Sequence, residues 1–203
     1  MFHVKRWSDL QPIVSRETFD RLNLYQELLL RWNSRINLVS RADEGNLWRR
    51  HILDSLQLAS LVPASTQRAI DLGSGAGFPG LVLSICTGIP FDLIEADQRK
   101  CAFLREAARE TGAPVLVHAV RIEQALVHPA TLVTARALAP LPILLELAYR
   151  FLLPGGVALF PKGADADREL TEARTKWNMS VERFPSRTAA HATIIKLSEV
   201  ARG

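Results

Sequence analysis

The residues most able to do chemistry sit in one run, AIDLGSGAGFPG (69–80), where an acid, Asp71, precedes three alternating glycines, Gly73, Gly75 and Gly77. A turn without side chains lets a small ligand press against bare backbone N–H groups. The same run also holds Gly75-x-Gly77-x-x-Gly80, formally a dinucleotide fingerprint. In a dinucleotide fold the first glycine closely follows the strand. Counting from Gly75 leaves "LGS" unexplained between strand and motif, whereas counting from Gly73 does not. An acid at the mouth of the loop suits a ligand with an ammonium group better than a pyrophosphate. Glu95 closes the next apolar run and is placed to take both hydroxyls of a ribose, a feature NAD shares with other adenosine cofactors.

These residues must be positioned by alternating strands and helices. "RAID", "FDLIEA", "VLVHAV", "TLVTARA" and "VALF" read as five short buried strands. Helices are expected from Pro79 to about Cys86, over "DQRKCAFLREAARETG" up to Gly112, over "PLPILLELAYRFLL" and from about Asp165, with "RIEQAL" a short turn or helix. The last two strands, "MSVERFP" and "ATIIKLS", are too close in sequence for a right-handed crossover and must form an antiparallel hairpin. Residues 1–62 look different, forming a helical extension ahead of an α/β domain at 63–203. Ser15 is the expected cap of a first helix that turns Phe19, Leu22, Tyr25, Leu29 and Trp32 inward. A second helix is expected from Glu44 to about Leu61, with Trp48, Ile52, Leu56 and Ala59 inward, the extension packing at one sheet edge. The terminal hairpin departs from the parallel dinucleotide domain. Together with Asp71 and Glu95 it favours S-adenosylmethionine as cofactor, with NAD and a ligand-free tight turn as the alternatives.

The totals fit this reading. A chain of 203 residues, 48% apolar and 23% charged, has the composition of one folded domain with a core. A net charge of +4 favours a polyanion only weakly. Cys86 and Cys101 show no paired spacing and read as buried thiols in a reducing compartment. "MFHVKRWSDLQP" lacks a signal-peptide core, and no run reaches the roughly 20 apolar residues of a membrane span. The expectation is a cytoplasmic, monomeric protein without metal, since His51 and Asp54, one helical turn apart, are too few for a metal site and read instead as a local pair.

Beyond these residues, the order of motifs resembles the class I S-adenosylmethionine-dependent methyltransferases, and "WNSRINLVS", "RRHILDSL", "DLGSGAGFPG", "RALAPLP" and "PKG" resemble the bacterial glucose-inhibited division protein B family. The resemblance runs from about Leu22 to Lys162. It implies a Rossmann-like, seven-stranded, mostly parallel sheet and methyl transfer to N7 of one guanosine in the 530 loop of 16S ribosomal RNA. It also implies cofactor contacts at Gly73, Phe78, Ile122, Glu123 and Arg136. Ile122 departs from the small residue often found before the acid in the family.

The chain lacks the Asn-Pro-Pro-Tyr that grips exocyclic amines, and neither cysteine stands where a pyrimidine-C5 nucleophile belongs. Guanine N7 fits these absences: its lone pair carries no proton, so positioning can supply the rate without a general base. Arg136, past the fourth strand, is expected to carry most of the site's function, toward cofactor carboxylate, RNA phosphate or guanine O6. RNA contacts are expected from Arg35, Arg41, Arg49, Arg50, Arg99, Lys100, Lys162 and Arg187, with His191 nearby. The substrate is expected on the 30S subunit or an assembly intermediate, because extracting a paired base is costly. A small-molecule methyltransferase and a ribosome-associated binding protein are the rival readings.

Overall fold

A computed structural model describes residues 14–203, so the reading of "MFHVKRWSDLQP" lies outside the described residues. Seven strands form one sheet in the order β3-β2-β1-β4-β5-β7-β6. They are β1 (Ala69–Leu72), β2 (Phe91–Ile94), β3 (Val115–His118), β4 (Ala130–Ala135), β5 (Leu152–Lys162), β6 (Trp177–Pro185) and β7 (Thr193–Arg202). The first five are parallel, and β7 runs antiparallel to both β5 and β6. This is the Rossmann-like sheet with a terminal hairpin. Alternation along β1 sends Ala69 to one face and Ile70 and Leu72 to the other, so each face acquires its own apolar cluster.

The helices follow from local chemistry. In α1 (Arg16–Asn33) the Ser15 hydroxyl caps the Thr18 N–H at 3.1 Å. In α5 (Gln98–Thr111) Asp97 caps Arg99 and Lys100, and Gly112 stops the helix in the left-handed region at φ +64°. Pro79 immediately precedes α4 (Gly80–Thr87), while α6 (Leu141–Ala148) and α7 (Ala166–Ala173) lie against the other apolar cluster.

Four expectations need correction. The segment from Glu44 to Leu61 is not one helix: a short α2 (Arg41–Glu44) is followed by a π-helical turn at Trp48–Leu53, one α turn, α3 (Asp54–Leu56), and a 3-10 turn at Gln57–Leu61. Ile52 and Leu56 point inward as expected, but Trp48 and Ala59 are only half-buried. Strand five is not limited to "VALF". It begins at Leu152, and the "PGG" turn is absorbed as an irregularity in its pairing with β4. The N-terminal extension does not pack at a sheet edge. It covers α4 and α5 on one face, where Phe19, Leu22, Tyr25 and Leu29 join a single core with Leu81, Phe103 and Leu104. Cys101 is buried but Cys86 only half-buried.

One contact in that core reaches the glycine run. The fully buried Tyr25 donates its hydroxyl to the Ala76 carbonyl at 2.5 Å and packs edge-on against Phe78. Burial holds this phenol well above its ordinary pKa, so it stays a donor. Removing the hydroxyl strands a buried carbonyl. Tyr25→Phe is therefore expected to lose about 1–3 kcal/mol in denaturant unfolding and to weaken ligand binding at the glycine loop as well.

Candidate functional site

The strand order reverses direction between β1 and β4, and in an open α/β sheet ligands gather beyond the carboxyl ends of the strands at such a point. Two cavities lie there. The first, about 470 Å³, is lined by Gly73, Gly75, Phe78, Glu95, Ile122, Glu123 and Arg136, together with Leu38, Val39, Lys100 and Leu138. The second, about 930 Å³, is lined by Arg49, Arg50, His51, Asp54, Lys162 and Glu169 and by the β6–β7 loop through Ser186 and Thr188. His51, Arg136, Ala137 and Leu138 line both and form the wall between them.

The glycine run is built for close approach. Gly73, Gly75 and Gly77 have φ of +63°, +55° and +97°. A methyl on Gly73 would sit 2.7 Å from Leu138 Cδ1, whereas one on Gly75 would meet nothing nearer than 3.9 Å. Gly75 is therefore glycine for its backbone and for the open space above it. Glu95 ties the loop to β2: Oε2 accepts from Gly75 N–H and Oε1 from Asp97 N–H, both at 2.8 Å. Each oxygen keeps a lone pair that can accept a hydroxyl.

Asp71 and Gly77 are placed differently from expectation. Asp71 is fully buried and lines neither cavity. Its Oδ1 accepts from Thr134 at 2.6 Å and its Oδ2 has no hydrogen bond. Burial pushes its pKa up to about 6, opposed by Thr134, Ser74 and the Gly80 backbone. Gly77 is packed against Leu81 of α4 and Leu104 of α5, where a side chain would clash.

Arg136 organises the dividing wall. Its NH1 donates to the Arg50 carbonyl and to Asp54 Oδ2, each at 3.2 Å, and its NH2 donates to His51 Nδ1 at 2.8 Å. The guanidinium lies 4.8 Å from the centre of the Phe78 ring, on which His51 also stacks at 5.0 Å. His51 and Asp54 are thus not a mutual pair; both turn to Arg136. The π-helical turn is what aims them, and Arg136 is bonded to a carbonyl within it. Burial and then Arg136 push the His51 pKa down to about 4, leaving a neutral ring. Of five guanidinium donors, those bonds occupy three.

The basic candidates separate into groups. Arg49, Arg50 and Lys162 line the second cavity, though Arg50 is paired with Asp43 at 2.9 Å. Lys162 is nearly buried, holding Glu169 and the Ala139 carbonyl, each at 2.7 Å. Arg187 is exposed on the adjoining loop, as is His191. Arg35, Arg99 and Lys100 share a cleft of about 280 Å³ beside the first cavity, and Arg41 is exposed but lines none of these spaces. Asp43, Gln57, Glu169 and Thr188 were not foreseen. Only Glu169, in the first turn of an expected helix, carried even a weak signal. No cluster of three or more His, Cys, Asp or Glu residues able to hold a metal occurs among the described residues, and no described helix is long and apolar enough to cross a membrane.

Comparison with known proteins agrees on one family. Residues 18–195 match the family described as "GidB: rRNA small subunit methyltransferase G". A ribosomal RNA small subunit methyltransferase G of Rhodospirillum centenum is 59% identical over 189 residues, covering 93% of this chain and 87% of the relative. That of Granulibacter bethesdensis is 56% identical over 212 residues and the full length of both. Among solved structures, an O-methyltransferase from Bacillus cereus in complex with SAH has a TM-score of 0.56 at 13% identity, covering 94% of this chain and 100% of that one. A 16S rRNA methyltransferase of T. thermophilus, in complex with AdoMet and guanosine, has a TM-score of 0.52 at 19% identity, covering 72% and 38%. These distant structures share the fold.

Asp71 gives a test of the loop's foundation. Its folded pKa of about 6 lies above the ordinary value of 3.8, so the folded state binds more protons between them. Its contribution to stability is greatest below about pH 4 and is lost as pH rises through 6. The difference in unfolding free energy between wild type and Asp71→Asn should therefore shift against the wild type by up to about 3 kcal/mol across that range, read by denaturant titration.

Proposed function

The chain belongs to the ribosomal RNA small subunit methyltransferase G family, and from that premise we propose that it methylates N7 of one guanosine in the 530 loop of 16S ribosomal RNA, with the base in the larger cavity and the methyl donor in the smaller. The chain is an S-adenosylmethionine-dependent methyltransferase of small-subunit ribosomal RNA. The observation that carries the finer reading is the shared wall: two cavities at one switch point, separated only by His51, Arg136, Ala137 and Leu138.

The first cavity fits the cofactor. It offers bare backbone at Gly73 and Gly75, a carboxylate with lone pairs to spare at Glu95, and apolar walls at Ile94, Ile122 and Leu138. Glu95 would take the ribose hydroxyls, Ile122 and Glu123 the adenine side, and Gly73, Phe78 and Arg136 the amino-acid end. When bound, S-adenosylmethionine supplies an electrophilic methyl group on a positively charged sulfur. The chain's part is positioning, because N7 presents a lone pair and no proton. His51 suits that role and not a base's: its Nδ1 is occupied by Arg136 and its basicity is suppressed. Arg49, Arg50 and Arg187 would meet the RNA backbone around the larger cavity, and Arg35, Arg99 and Lys100 beyond the smaller one.

Two measurements test this reading. Methyl-labelled S-adenosylmethionine should label 16S RNA in 30S particles from a strain lacking the gene, with borohydride–aniline cleavage at a single guanosine of the 530 loop. Free 16S RNA run in parallel tells whether the particle must present the loop, and label at another atom or only in small molecules overturns the assignment. Separately, Gly73→Ala should weaken S-adenosylhomocysteine binding at least about tenfold in calorimetry with the fold intact, because the new methyl meets Leu138 at a left-handed backbone position.

A further inference from the structure

The larger cavity holds an arrangement of charge that cofactor binding and base positioning leave unexplained. Two cations are sunk in its wall, Arg136 and Lys162, with 16% and 9% of their side chains exposed. Each is matched by a nearly buried carboxylate on the same wall: Asp54 lies 3.2 Å from Arg136, and Glu169 lies 2.7 Å from Lys162. The carboxylates come from different elements, α3 and α7, and each is fixed by further bonds. Asp54 accepts from Gln57 and Thr188, and Glu169 accepts from the Leu141 N–H. A wall needed only to attract RNA phosphates would be better served by the bare cations.

Resting on the N7 reading above, we propose that Asp54 and Glu169 neutralise the wall of the base cavity so that a purine acquiring positive charge is not repelled from it. The balance of the reaction requires such a device. The N7 lone pair forms the new N–CH₃ bond while the C–S bond breaks with its electron pair going to sulfur. No proton moves, so the positive charge passes from the sulfonium to the guanine ring. Phosphate-binding cations beside the base oppose that transfer, and pairing each with a carboxylate removes most of the opposition. His51 belongs to the same scheme, since a neutral ring adds no third charge to the dividing wall. The cavity's other two arginines, Arg49 and Arg50, are exposed, and Arg50 is paired with Asp43, a nearly buried carboxylate whose Oδ2 lies 3.6 Å from His51 Nε2. Asp54 and Glu169 act through the cations they hold and are positioning residues rather than catalytic ones.

The test uses the full chain on 30S particles lacking the modification. Glu169→Gln and Asp54→Asn keep shape and can keep the oxygen that accepts from Leu141 or Thr188. Each is expected to slow single-turnover methylation roughly 10- to 100-fold, with KM for particle and cofactor within about threefold; each variant also loses stability, because a nearly buried cation is left unpaired, so rates are compared at a temperature where circular dichroism shows it fully folded. Asp54→Asn should cost far less in an Arg136→Gln background, where the repelling charge is gone. A readout independent of turnover is binding with S-adenosylhomocysteine present, at mildly acidic pH where the methylated base is a cation. Asp54→Asn should weaken binding to methylated particles about tenfold more than to unmethylated ones, whereas a purely structural role would weaken both alike. Equal losses in the two backgrounds, or an unchanged preference between the particles, overturn the proposal while leaving the N7 assignment standing. A wild-type product other than 7-methylguanosine overturns both.

Discussion

The site depends on a gap in the sheet. Right-handed crossovers send α4 and α5 to one face and α6 to the other, so the chain leaves β1 and β4 in opposite directions and nothing within the α/β domain closes the crevice between them. The glycine run forms one lip of that crevice, and the residues after β4 form the other. The N-terminal extension closes it. Tyr25 holds the glycine run from beneath through Ala76, and the π-helical turn brings a carbonyl, His51 and Asp54 to Arg136 on the opposite lip. The extension thus braces both lips of the crevice.

A largely buried guanidinium explains why this closure is specific. An arginine removed from water must have its donors met, and breaking one partner of such a cluster leaves an uncompensated charge. Arg136 meets three donors with groups from one short segment and lays its face on Phe78. That segment in turn holds the β6–β7 loop through Gln57 and Asp54, so the larger cavity is enclosed by three parts of the chain distant in sequence. The first and last thirds of the chain meet there without any covalent or metal link among the described residues.

How much of this was legible in the sequence follows from the range of each interaction. Strand–helix alternation, the hairpin forced by a short connection, Ser15 as a cap and Gly112 as a stop are local, and all are found. The glycine run was legible because φ above zero restricts residue choice strongly. The uniform helix read into 44–61 failed because over so few turns the apolar spacing does not separate one pitch from another, and the partner that bonds the Arg50 carbonyl, Arg136, lies far along the chain. Asp71 was misplaced because a carboxylate at a strand end looks alike from sequence whether it faces a ligand or, as here, Thr134 and α4. The pairing of Lys162 with Glu169 was beyond reach for the same reason: a pair is visible only once the fold brings its members together.

The pairing of charges also bears on why the site can work without a base. A histidine beside a nucleophile is ordinarily the first candidate for proton transfer. Here its accepting nitrogen is spent on Arg136, its ring is stacked on Phe78, and burial together with the neighbouring cation suppresses its protonation. An exocyclic amine or a hydroxyl must shed a proton on methylation, and this histidine is not placed to accept it. A nitrogen with an in-plane lone pair and no hydrogen needs none. What it needs is alignment with the methyl and a surrounding that tolerates the charge it gains, and on the proposed reading the rigid glycine turns serve the first need and the paired carboxylates the second.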